Sequence, residues 1–169
     1  MTGETMRKLL WSVALVGMLA APASVQAQME AGPLLAYHTD AEALGVGAYL
    51  AIPVPAMGSG FGIVPNFLWY FPDAGNLFEV NGDVVYNFTV SPDSPVLPFA
   101  FAGLNIMRAS IDVGNQTFSN TDVGLNLGGG VNFVAGSLTP FAGAKFEIQD
   151  GTGFVIFGGI GFPIGGDGM

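Results

Sequence analysis

From residue 28 onward the chain repeats with a period of two, and that period constrains its fold more than any other feature. A strand sends successive side chains to opposite faces, whereas a helix groups its apolar positions three and four apart. In 77–90, Phe78, Val80, Val84, Tyr86, Phe88 and Val90 share one face. Leu77, Glu79, Asn81, Asp83, Val85, Asn87 and Thr89 share the other. In 122–133, Val123, Leu125, Leu127, Val131 and Phe133 oppose Asp122, Gly124, Asn126, Gly128, Gly130 and Asn132. In 61–71, Phe61, Ile63, Pro65, Phe67, Trp69 and Phe71 alternate with Gly62, Val64, Asn66, Leu68 and Tyr70. Clusters of turn-forming residues fall at 39–41, 53–59, 72–75, 91–95, 109–120, 135–137 and 149–152. They predict eight strands, over 33–38, 42–52, 60–71, 76–90, 96–108, 121–134, 138–148 and 153–163, with 109–120 as one long loop. No helical period of useful length follows residue 28.

The preceding segment is of another kind. Met6-Arg7-Lys8 is a short basic stretch, 9–21 is an apolar run, Pro22 breaks it, and Val25-Gln26-Ala27 offers a peptidase site. These three parts match a Sec-type secretory signal over 1–27, with 1–5 as extra leader, and leave 28–169 as a single domain. The apolar run is too short for a membrane-spanning helix, which needs about 20 residues.

The two strand faces differ in a way that selects between a soluble and a membrane barrel. Only 10% of residues are charged, against 50% hydrophobic, where a soluble domain carries about 25% charge. One face holds mostly Gly, Asn, Thr and Ala with a few charges; the other is nearly all Val, Leu, Ile and Phe. A narrow tube suits the first face inside and lipid suits the second outside. The expected fold is therefore all-β, a transmembrane eight-stranded antiparallel up-and-down barrel. Closure satisfies every strand amide, which lipid cannot do.

With both ends of the chain on one side, aromatic residues gather at two levels. Trp69, Phe71, Phe78, Phe146 and Phe154 fall near one rim, and Phe61, Tyr86, Phe88, Phe133 and Phe162 near the other. Two such belts are the expected interface girdles. Inward glycines beside Tyr49, Phe99, Phe101, Phe141 and Phe157 let a narrow interior fill.

The segments 82–88, 99–106 and 122–131, together with the signal, resemble the eight-stranded outer-membrane β-barrel proteins, the OmpA/OmpX-like and opacity-like porin-family group. The resemblance spans the whole of 28–169. It implies a Gram-negative cell outer membrane, with its lipids and the barrel-assembly machinery as partners. It identifies an architecture rather than an activity. The chain departs from the group's pattern of a terminal aromatic, because Phe162 is followed by 163–169.

Chemistry-bearing residues are sparse. A net charge of −9 excludes a phosphate-neutralising surface and hence nucleic acid. With no cysteine there is neither a disulfide nor a thiolate metal site. No cofactor motif appears: Gly128-Gly129-Gly130 leads into no helix and has no following Lys. Asp40, Asp73, Asp93, Asp112 and Asp150 are scattered through separate turns, so no metal site is expected. His38, the one histidine, reads as an exposed turn or rim residue, and no catalytic residue is assigned. Glu79, Asp83, Lys145 and Glu147 all face inward, on strands that meet only across the lumen. They read as a charge cluster that plugs the tube, with Lys145 paired to Glu79 or Asp83. The function expected is a non-catalytic structural or surface-interaction barrel, the extracellular partner being unknown. The alternatives are a narrow channel or a portal for a small hydrophobic molecule, and beyond these a lipid-modifying enzyme.

Overall fold

A computed structural model of the protein describes residues 28–91 and 94–165. The expected signal over 1–27, Asp93 and the tail 166–169 lie outside the described residues. The strands are β1 (Met29–His38), β2 (Ala43–Pro53), β3 (Phe61–Phe71), β4 (Asn76–Asn87), β5 (Val96–Val113), β6 (Gln116–Phe133), β7 (Thr139–Ile148) and β8 (Thr152–Ile164). Each pairs antiparallel with its chain neighbours, and β8 returns to β1, closing the barrel. The short turns after β1, β3 and β7 share one end with the β5–β6 hairpin. The chain termini and the other three connections, one of them containing the 3₁₀ turn Pro55–Met57, share the opposite end.

Three boundaries differ from expectation for physical reasons. β1 begins at Met29 rather than 33, because Met29 and Ala31 pair with Ile164 and Phe162 at the closing seam. β4 ends at Asn87, short of 90. The expected long loop over 109–120 is a hairpin. Ile111 pairs with Phe118, Asp112 with Thr117 and Val113 with Gln116, and Thr117 Oγ1 donates to Asp112 Oδ1 at 2.6 Å. Gly114, at φ +64°, starts the two-residue turn, the position where such hairpins favour glycine.

The inner face is filled by one cross-strand rule. Six aromatic rings point inward, and each is paired directly with a glycine: Tyr49 with Gly32, Tyr70 with Gly45, Phe99 with Gly130, Phe101 with Gly128, Phe141 with Gly159 and Phe157 with Gly143. A Cβ on Gly128 would stand 2.6 Å from Phe101 Cζ, and one on Gly143 equally close to Phe157 Cζ. The rings thus lie over bare backbone, and a narrow lumen holds six of them without clash. Leu34, Ala36, Ala43, Leu68, Tyr70, Leu77 and Val155 complete an apolar cluster in the half nearer the hairpin.

The outer face inverts this pattern. Leu35, Leu44, Val80, Leu104, Val123, Leu125, Leu127 and Ile156 are each more than half exposed. No outward position of the paired barrel wall is charged until Arg108, beside Phe78 at the hairpin rim. Exposed apolar surface continuous around a whole barrel exceeds what soluble monomers show.

Candidate functional site

The middle of the lumen is crossed by polar side chains. Period two on β4 sends Glu79, Asn81 and Asp83 inward; on β7 it sends Lys145 and Glu147, and on β1 His38. β3, β5 and β6 add Asn66, Asn105 and Asn126. All but Asn66 are buried. β5 and β6 stand between β4 and β7, so the two charged strands meet only across the tube. Gly103 and Gly128 make that crossing possible. A Cβ on Gly103 would collide with the Asp83 carboxylate, and one on Gly128 would lie 2.8 Å from Lys145 Cβ.

Lys145 is the hub. Its Nζ pairs with Glu79 Oε1, lies 2.8 Å from Glu147 Oε1 and donates to Asn81 Oδ1 at 3.3 Å. An ion pair this buried offsets its desolvation only when both partners are well hydrogen-bonded, and loss of Lys145 would strand two carboxylates. The structure places Asp83 apart from the ion pairs. Its oxygens accept from Asn126 Nδ2 at 3.0 Å and Asn66 Nδ2 at 3.2 Å.

The asparagines form a chain of amide bonds across the barrel. Asn81 donates to Asn66 at 2.7 Å, Asn126 to Asn81 at 2.7 Å and Asn105 to Asn126 at 2.7 Å. Gln149 joins it from the β7–β8 turn, donating to Asn105 Oδ1 at 2.9 Å. Sequence reasoning placed these asparagines inward but assigned them no role. Their signal was parity alone: Asn66, Asn81, Asn105 and Asn126 are the amides nearest the middle of four consecutive inward faces.

His38, expected to be exposed at a turn or rim, is the last residue of β1 but only 6% exposed, at the top of the cluster. Its Nδ1 accepts the Ala41 amide at 3.2 Å, so Nε2 carries the proton toward Glu147 Oε2 at 3.4 Å. A histidine oriented by a carboxylate is two thirds of a hydrolase triad. Among the described residues no hydroxyl hydrogen-bonds to His38. Nor, among them, do three or more His, Asp or Glu converge as metal ligands.

The aromatic residues expected at the rims fall into clusters on the outer wall. Trp69 lies 5.4 Å from Phe71 and 5.3 Å from Phe78, ring centre to ring centre, and Phe146 lies 5.2 Å from Phe154. Nearer the termini, Tyr86 lies 4.8 Å from Phe61 and 5.1 Å from Phe88. Phe133 and Phe162 stand singly at that rim. Phe67, 6.1 Å from Phe78, adds a ring that sequence reading had left out of the girdles.

No protein-family model matches the chain. No curated protein matches it either. Solved structures do. The N-terminal β-barrel domain of Pseudomonas aeruginosa OprF aligns with a TM-score of 0.69 at 14% identity, over 82% of this chain and 98% of that one. Neisserial surface protein A aligns at 0.60 and 18%, over 80% and 94%. The fold is that of the eight-stranded outer-membrane β-barrels. Ail, the attachment invasion locus protein of Yersinia pestis, aligns at 0.59 and 14%, over 81% and 97%. A second structure of Ail holds the heparin analogue sucrose octasulfate. At these identities the likeness is one of fold.

Proposed function

We propose that the chain is a non-catalytic barrel of a Gram-negative outer membrane, exported by a signal over 1–27, with a structural or surface-contact role. The observation that supports this most is the polar layer across the lumen. Glu79, Asn81, Asp83, Asn105, Asn126, Lys145 and Glu147 are all buried and are linked by ion pairs at Lys145 and by amide hydrogen bonds, which suits a plug better than a water-filled path. Strands of 10 to 13 residues outside the long hairpin match the length a tilted strand needs to cross a bilayer. The aromatic clusters at the two rims serve as interface girdles, and Phe162 as the signal for the assembly machinery.

Surface contact would fall to the β5–β6 hairpin, which projects beyond the rim. Over 108–122 it carries Arg108 against Asp112 and Asp122. That balance disfavours a polysulfate of the kind seen with Ail, and favours a neutral or apolar contact through Ile111, Val113 and Phe118, all exposed. Single-channel recording of the refolded barrel in planar bilayers tests the reading. No conductance above the lipid background is expected, and reproducible unitary steps would replace the scaffold with a channel.

A further inference from the structure

On the terminal side of the polar layer the lumen opens into a cavity of about 170 Å³. Its wall is an unbroken arc of rings. Centre-to-centre distances run 6.2 Å from Phe99 to Phe101, 5.8 Å on to Phe157, 6.4 Å on to Phe141 and 5.0 Å on to Tyr49. Asp83 lies at its inner end and Glu30 at its mouth, where Glu30 Oε1 accepts from Thr139 Oγ1 at 2.8 Å. A scaffold has no need of this space. Ala51, on the cavity wall, is a position where a larger apolar residue would fill it.

We propose that this cavity binds a small organic cation, an ammonium on a compact apolar body, entering from the terminal end. Charge is the first reason. Four carboxylates, Glu30, Glu79, Asp83 and Glu147, face the lumen against the single ammonium of Lys145, which is committed to Glu79 and Glu147. Asp83 is 5% exposed and lines the cavity together with Lys145, whose ammonium forms its salt bridges with Glu79 and Glu147 and not with Asp83. The Asp83 carboxylate is hydrogen-bonded by two neutral amides, and the one ammonium near it, Lys145, is shared with Glu79 and Glu147, so the lumen keeps more acceptor than donor charge. The rings are the second reason, since aromatic faces attract cations and cages of them recognise substituted ammonium groups. Size is the third. A cavity of about 150 Å³ holds benzene, so this one suits a ligand of about six to eight heavy atoms. An anion meets Glu30 at the entrance, and a neutral apolar molecule leaves Asp83 as it was.

The full chain, refolded in nonionic maltoside micelles, is titrated with choline, with its uncharged carbon isostere dimethylbutanol, and with pivalate, following aromatic NMR shifts. Choline is expected to give saturable shifts at Phe101 and Phe157, to bind about tenfold more tightly than the isostere, within the range of a desolvated cation–π contact, and pivalate to give none. Asp83→Asn is expected to remove the preference for choline, and Ala51→Phe to abolish binding by filling the cavity. Equal binding of choline and the isostere, no saturable choline shifts, or choline binding that survives Ala51→Phe would each overturn the proposal. Should Asp83→Asn fail to refold, the isostere comparison and Ala51→Phe decide alone. The scaffold reading stands or falls on conductance, so failure here leaves it untouched.

Discussion

Gly128 is where the two halves of the lumen touch. Phe101 of the aromatic arc and Lys145 of the polar layer both pass over it, with Phe101 Cζ 2.6 Å and Lys145 Cβ 2.8 Å from where a Cβ would sit. A methyl group there must displace a ring, a lysine stem or the backbone. Overpacking of this kind costs about 1–3 kcal/mol, so Gly128→Ala is expected to lower the urea midpoint of the refolded barrel by that equivalent. Gly151→Ala is the control. Nothing lies within 4 Å of its Cβ position, and a change within about 0.5 kcal/mol is expected. Equal midpoints for the two variants would mean that the ring-over-glycine packing does not hold the lumen together. At this scale parity made the inward residues legible, Lys145 and Glu79 among them. Which glycine receives which ring was not legible. That depends on the stagger between strands, which is set when β8 closes on β1 and leaves no trace in a period of two. The burial of His38 escaped because it lies next to a turn in sequence, whereas its ring points inward against Glu147 of β7 and Tyr70 of β3.

At the scale of elements, the β5–β6 hairpin is the place where a predicted loop proved to be strand. Its residues alternate, Ile111 and Val113 with Ser110 and Asp112, and Gly114-Asn115 is a recognisable two-residue turn. The signal was masked because 109–120 is rich in Ser, Asn, Gln, Thr and Asp, which inside a membrane would mark a loop. A strand that stands in water needs no apolar outer face, so the rule that found the other strands does not apply to it. The ladder there joins β5 and β6 only to each other beyond Ser110 and Leu125, the last residues paired with β4 and β7. No lumen side chain named above comes from 111–118. Replacing 111–118 with a two-residue Asn-Gly turn, which leaves the Ser110–Ser119 pair to close it, is therefore expected to keep the barrel's urea midpoint. It would remove any contact made through Ile111, Val113 and Phe118. A shortened chain that no longer refolds would make the hairpin a folding nucleus instead of an appendage.

At the scale of the whole molecule, the barrel is inside out. The charges at the middle of its wall point into the lumen and are buried, its rings line the lumen or ring the rims, and its wall's aliphatic side chains face mostly outward. In water that arrangement would leave a continuous apolar surface uncovered; in a bilayer it is the low-energy one. The two environments give opposite forecasts for one substitution. Leu104 is 58% exposed on the outer wall, paired with Gly82 and Leu125 at mid-height. In a soluble barrel an exposed Leu→Arg change is close to neutral. In lipid an arginine at the midplane costs about 2–4 kcal/mol, and the cost fades toward the interfaces. Refolding into phosphatidylcholine vesicles is expected to be destabilised by that amount in Leu104→Arg and hardly at all in Val113→Arg, which lies on the hairpin beyond the rim. Both positions are exposed, apolar and in β5, but Leu104 is on the paired wall while Val113 is on the hairpin, clear of it. If both variants refold as the parent does, lipid does not cover the wall, and the apolar face requires a protein partner in its place.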